Sequence, residues 1–177
     1  MVIDIHAMGD YWQPDRAERT ELGELIHAAK DRRDAAATAG LEAHLAAWAR
    51  RLALPVRGLL VAVPASPDRP NPILDDLYRR FAATAGLTAA PTVVRHRSTQ
   101  RLRNLEPAAR PAVAQAAGYE VLDGCAGRPI VLIDDVVLTG TTLHHVGGLL
   151  LDAGATSVIG LALARSRRGE TVSPSRQ

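Results

Sequence analysis

Residues 131–143 read VLIDDVVLTGTTL, and the fold is decided here. The apolar run PIVLI at 129–133 has the composition of a strand buried on both faces, as in a parallel sheet. It delivers two adjacent acids, Asp134 and Asp135, to its carboxyl end. After a short turn, Thr139-Gly140-Thr141-Thr142 opens a segment of helical spacing over 141–151 that stops at Gly154. Strand, turn and helix in that order form one βα unit, and in open parallel sheets ligands bind beyond the carboxyl ends of the strands.

Working outward, residues 157–164 read as the next strand. Upstream, RGLLVAV at 57–63 is a branched apolar run ended by Pro64, which suits another buried strand. The proline-dense PASPDRPNP at 64–72 is a loop, and residues 73–85 return to helical spacing through Leu74, Leu77, Tyr78 and Phe81. Residues 92–94 read as a further strand. From 18 to 52 the apolar residues Leu22, Leu25, Ile26, Leu41, Leu45 and Trp48 recur at helical spacings, with the charged DRRD at 31–34 separating two helices. Alternating strands and helices predict the α/β class, a parallel sheet with right-handed helical crossovers and helices on both faces. The expected organisation is a helical N-terminal portion over 1–54, a core over 55–166 and a flexible tail over 167–177.

The chain has 177 residues, 47% hydrophobic and 23% charged, the balance of one folded domain rather than a disordered chain. Cys125 is the single cysteine, which excludes an internal disulfide framework and a cysteine-built zinc site, and a reducing, cytoplasmic compartment is expected. No stretch reaches the ~18–20 apolar residues of a membrane span, so no membrane partner is expected. The start lacks the basic-then-apolar pattern of a secretory signal. Of the 21 basic residues only Lys30 is a lysine, and a net charge of +2 does not by itself point to nucleic acid.

The βα unit carries the chemistry. The first turn of a helix has unpaired N–H groups and the positive end of the macrodipole, so it holds a phosphate without any lysine. Gly140 lets the backbone approach that phosphate, and the hydroxyls of Thr139, Thr141 and Thr142 can donate to it. Asp134 and Asp135 are acceptors suited to sugar hydroxyls or to a magnesium ion carried by a diphosphate. Together these groups describe a ribose 5-phosphate site. The competing reading is structural, solvated aspartates at a strand end followed by a threonine cap; the joint occurrence of all the pieces at fitting offsets favours the ligand.

This stretch resembles the phosphoribosyl-diphosphate motif of type I phosphoribosyltransferases, with its apolar strand, two acids and Thr-Gly-x-Thr loop. The wider pattern, with LGELIHAAKDRRD near the start and LLDAGATSVIGLALAR near the end, is similar to the ComF group over residues 20–165. The resemblance implies a parallel sheet flanked by helices with a small helical hood at the N-terminus, in the cytoplasm, and a magnesium-bound phosphoribosyl diphosphate whose ribose 5-phosphate passes to or from a nitrogenous base. It implies that Asp134 and Asp135 hold the ribose 2- and 3-hydroxyls, and that Thr139, Gly140, Thr141 and Thr142 wrap the 5-phosphate, with Leu138 entering the same binding turn. For pyrophosphate it offers two places. One is the short loop at Ala65 and Ser66. The other is the basic loop carrying Arg95, Arg97, Arg101 and Arg103, with Arg97 acting catalytically as the loop closes; a solvated loop, or one touching nucleic-acid phosphates, is the equal alternative.

The departures from the family pattern bear on function. No cysteine knuckle precedes the core, and the segment after the second strand is reduced to Arg69-Pro70-Asn71. Leu138 stands where purine-salvage members carry a proton-handling aspartate, and leucine can neither give nor take a proton. No protein-built metal site is expected: His144 and His145 are adjacent on a helix and point about 100° apart, unsuited to one metal. Tyr11 and Trp12 fall in the hood, where an aromatic ring can stack on a base, although core packing is the simpler role. The expectations are thus a transferase, or a ComF-like binding module that senses nucleotides or serves DNA uptake, with single-stranded nucleic acid a further candidate partner. The acceptor base is left open, and a homodimer is admitted.

Overall fold

The structure is a computed structural model that describes residues 3–15, 17–55, 57–97 and 106–166. Its centre is the strand over Pro129–Val137. It is the sixth in chain order, after β1 (Asp4–Ala7), β2 (Leu59–Ala62), β3 (Thr88–Ala89), β4 (Val93–Arg95) and β5 (Tyr119–Val121), and it precedes β7 (Ser157–Arg165). This strand, β6, lies between β2 and β7, parallel to both, with Ile133 opposite Ala62 on one side and Leu161 on the other. Ile130, Val131, Leu132 and Ile133 are fully buried, as the unbroken apolar run requires of a strand covered on both faces. The sheet order is β1-β7-β6-β2-β3, parallel throughout.

Helices cover both faces. On one face lie α1 (Glu21–Asp31), α2 (Ala35–Ala49) and α3 (Pro72–Thr84), whose Ile26, Leu41, Leu45, Leu77 and Phe81 pack with Val131, Ile133, Leu161 and Leu163. The other face is covered by α5 (Thr141–Asp152), whose Leu143, Val146 and Leu150 pack with Ile130 and Leu132. The short α4 (Arg110–Ala116) lies beside α5.

Local chemistry sets the helix ends. Thr20 and Asp34 cap α1 and α2 by accepting from the amides of Gly23 and Ala37, and Asn71 caps α3 through the amide of Leu74. Gly154, at φ +94°, follows α5 in the left-handed conformation that a helix end favours. The DRRD cluster falls between α1 and α2, as its charge predicts.

Three features differ from the sequence reading. Asp4–Ala7 form an edge strand pairing with β7; their half-exposed pattern carries no apolar run to signal it. The edge strand beside β2 is the two-residue β3, while β4, near the predicted strand at 92–94, leaves the sheet and pairs antiparallel with β5. And β6 extends past both aspartates to Val137, because its pairing with β7 continues to Arg165. Most of the basic loop, residues 98–105 with Arg101 and Arg103, and the tail expected at 167–177 lie outside the described residues. Among the described residues, no helix is long and apolar enough to cross a membrane.

Candidate functional site

At the carboxyl end of β6 a cleft of about 1010 Å³ opens between α1, the 63–71 loop, α3 and the start of α5. It is lined by every residue of the motif from Asp134 to Leu143, and by Ala65 and Ser66. These groups come from segments about 70 positions apart, and the parallel pairing of β2 with β6 sets their carboxyl ends side by side.

The turn into α5 has the geometry of an anion cradle. Gly140 precedes the helix at φ +78°, no side chain caps the helix, and no acidic residue lies in its first turn. The first amides and the positive helix end therefore meet no counter-charge from the helix's own first turn. The hydroxyls of Thr139 and Thr141 stand 2.8 Å apart, so one hydrogen bonds the other and both lie at the rim. The Ala65–Ser66 turn is held by its neighbours: buried Ser66 donates to the Asp68 carboxylate, and the Arg69 amide donates to the Ser66 carbonyl.

The two acids occupy different environments. Asp134 Oδ1 accepts from the Asp135 amide, and Asp135 Oδ1 accepts from the Val136 amide. Asp135 Oδ2 accepts from the ammonium of Lys30 on α1. Among the described residues, no cation is hydrogen-bonded to Asp134. Withdrawal from water, together with the neighbouring charge of Asp135, pushes its carboxyl up to about 7. The same two charges, and above all burial, hold the Tyr78 hydroxyl well above the ordinary phenol range. Asp134 also bears on Tyr119, which burial pushes up and the nearby Arg95 pulls down; the Arg95 guanidinium lies 5.6 Å from that ring.

Arg97 is exposed and is not among the residues lining the cleft, whereas Arg95 is. Arg97 is anchored through its backbone, its amide donating to Ala117 and its carbonyl accepting from Arg95 Nε. Tyr11 and Trp12 do line the cleft, edge to face with centroids 5.3 Å apart, and Arg19 lies 5.5 Å from the Trp12 ring. His144 Nδ1 accepts from the Ile3 amide and His145 packs against Tyr119.

Sequence reasoning passed over three cleft residues. Lys30 was noticeable only as the single lysine, Tyr78 only as an apolar position of α3, and Arg110, buried at the start of α4, carried no signal at all.

The fold is similar to that of an allosteric regulatory enzyme of purine biosynthesis, at 19% identity and a TM-score of 0.50, over 72% of this chain and 26% of that one. The chain thus spans about a quarter of the length of that enzyme. It is also similar to adenine phosphoribosyltransferase from Leishmania donovani, at 15% identity and a TM-score of 0.44 over 89% of this chain and 63% of that one. Hypoxanthine phosphoribosyl transferase from Trypanosoma cruzi gives 14% and 0.44, over 88% and 72%. No curated protein sequence matches the chain. The phosphoribosyl transferase domain family matches residues 52–176, which takes in the β2 loop, both aspartates and the turn into α5, and the chain belongs to that family.

Proposed function

We propose that this protein binds magnesium-bound phosphoribosyl diphosphate and transfers ribose 5-phosphate to or from a nitrogenous base, with pyrophosphate as the other product. The observation that carries this reading is that Ala65 and Ser66, the Asp134-Asp135 pair and the turn from Leu138 to Thr142 line one cleft. The 5-phosphate docks on the amides and hydroxyls of Thr139, Gly140, Thr141 and Thr142. Asp134 and Asp135 accept from the ribose 2- and 3-hydroxyls, fixing the sugar with its C1 carbon toward the 65–66 loop, where the diphosphate lies. The C1–O bond breaks with its electron pair leaving on the diphosphate, the C1–N bond forms, and the nitrogen sheds its proton. The protein contributes position and electrostatics, not a covalent intermediate.

The donor set fits a cation that arrives with the ligand. Among the described residues no group of three or more His, Cys, Asp or Glu side chains could hold a metal, while two adjacent carboxylates served by one ammonium match magnesium's habit of taking one or two carboxylates plus substrate phosphates. When bound, magnesium neutralises charge on the departing pyrophosphate. Leu138 lines the cleft where a proton acceptor would serve purine salvage, which favours an acceptor base that loses its proton readily.

A second reading is a catalytically reduced, ComF-like nucleotide-binding or DNA-uptake accessory protein of the cytoplasm. Exposed Arg97, outside the cleft, favours it, since its guanidinium is free of the sugar site and open to single-stranded nucleic acid. Calorimetry with phosphoribosyl diphosphate and magnesium, on the parent and on Asp134→Asn with Asp135→Asn, tests the pocket; no binding by the parent removes both readings. Pyrophosphate release across a panel of bases then separates transferase from sensor. Gel shifts with single-stranded DNA over a salt series test Arg97, where a flat salt response excludes phosphate contacts.

A further inference from the structure

The pair formed by Lys30 and Asp135 has no place in the motif. Lys30 is the single lysine of the chain and lies in the last turn of α1. Its helix is fixed in place. Thr20 caps it, Ile26 and Ala29 are buried in the core, and Gly23 lies against the Tyr11 carbonyl so closely that a Cβ there would stand 2.1 Å from the oxygen. Lys30 therefore presents its ammonium to the cleft from a rigid support. Its side chain is 40% exposed and that of Asp135 17%, so the lysine can turn to water while the carboxylate cannot.

Both oxygens of Asp135 are engaged, Oδ1 by the Val136 amide and Oδ2 by Lys30. The amide bond is part of the local backbone; the ammonium is the partner that can leave. The Tyr78 side chain lines the same cleft, and its buried hydroxyl has no hydrogen-bond partner among the described residues.

We propose that Lys30 is the resident counter-ion of Asp135 in the free protein, a positioning residue that a ligand must displace, and that it selects for ligands carrying both a cation and a second anionic group. This rests on the phosphoribosyl-diphosphate reading of the cleft. A bare divalent cation competes with an ammonium tethered to the same chain at high effective concentration, and offers that ammonium only water in exchange for its carboxylate. Ribose 5-phosphate brings one anion, which α5 takes. The diphosphate with its cation brings both a replacement charge for Asp135 and oxygens to receive the displaced ammonium. Discrimination then comes from the cost of breaking the pair for the wrong ligand.

A single lysine makes the test direct, because the full chain carrying lysine 13C-labelled at Cε alone gives one side-chain resonance. Asp135→Asn should move that resonance in the free protein, which identifies it with the pair. Saturating magnesium phosphoribosyl diphosphate, with saturation established by calorimetry, should move it too; magnesium alone or ribose 5-phosphate alone should not. Mn²⁺ alone, followed by electron paramagnetic resonance, should bind Lys30→Met at least tenfold more tightly than the parent, with Lys30→Arg returning to the parent's weak binding. Ligand binding with an unmoved lysine resonance, or equal Mn²⁺ affinity in the parent and Lys30→Met, overturns the counter-ion role alone. No heat from the parent with the magnesium diphosphate overturns the reading of the cleft and the proposal with it. Should Lys30→Met not fold, the resonance of the parent decides.

Discussion

Ile5 on the edge strand β1 stands against the turn into α5: a Cβ placed on Gly140 would meet Ile5 Cδ1 at 2.6 Å. Gly140 also sits at φ +78°, where side-chain-bearing residues are strained. Gly140→Ala therefore meets two separate penalties, a left-handed backbone costing about 1–2 kcal/mol and a smaller contact part, because Ile5 Cδ1 is the free end of its side chain and can turn aside. Urea unfolding should show that loss. Adding Ile5→Ala should recover the contact part and leave the backbone part, so a double-mutant cycle with no coupling would contradict the close approach.

Asp134 gives the fold a pH dependence whose sign is fixed by its raised carboxyl. Folded, it titrates at about 7 rather than near its ordinary 3.8. Between these values the folded state holds more protons than the unfolded one, so stability falls as pH rises through that window and the loss is complete above about 7. Asp134→Asn keeps an oxygen for the Asp135 amide and removes the titration. Above neutrality it should exceed the parent by about 4 kcal/mol in urea unfolding, with the advantage fading toward pH 4. Parallel pH profiles for the two proteins would refute the assignment.

What the sequence revealed follows from distance along the chain. The unit from Pro129 to Asp152 was legible because its strand, acids, glycine turn and helix are contiguous, each stated by local composition. Ala65 and Ser66 were reachable because a buried parallel strand names the place of its own following loop. β1 was hidden because Asp4 and His6 break its apolar character and β7 supplies its pairing. The contact of Lys30 with Asp135 spans 105 positions and exists only because α1 packs over the end of β6. Nothing local distinguishes that lysine from a solvated one, or Tyr78 from its core neighbours Leu77 and Phe81.

The Lys30–Asp135 pair should respond unequally to loss of its two members. Removing the lysine strands a carboxylate that is only 17% exposed, whereas removing the carboxylate frees a lysine already 40% exposed to water. Lys30→Met is expected to cost about 1–3 kcal/mol and Asp135→Asn under about 1 kcal/mol. The double variant should fall between them, since it strands no charge. Thermal or urea melts at low and high salt would measure this; equal losses from the two single variants would show that the pair is surface-like at both ends.

Gly23 joins the aromatic segment to the helix that carries Lys30. The Tyr11 carbonyl accepts from the Thr20 amide, which fixes the strap that carries Tyr11 and Trp12 against the first turn of α1. A Cβ on Gly23 would enter that strap 2.1 Å from the Tyr11 oxygen, and the Tyr11 carbonyl carbon and Arg19 Cβ, at 3.0 and 3.1 Å, leave little room to yield. Gly23→Ala should lower stability by about 1–3 kcal/mol although alanine is the better helix former, because overpacking outweighs a propensity gain of about 1 kcal/mol. The displacement should reach the cleft through α1. The fluorescence of Trp12 and the lysine resonance are then expected to shift together, whereas a helical glycine with open space beside it replaced by alanine, Gly148→Ala, where a Cβ meets nothing within 4 Å, should leave both unmoved. Stabilisation by Gly23→Ala, or a lysine signal unchanged by it, would break the mechanical link between the strap and Asp135.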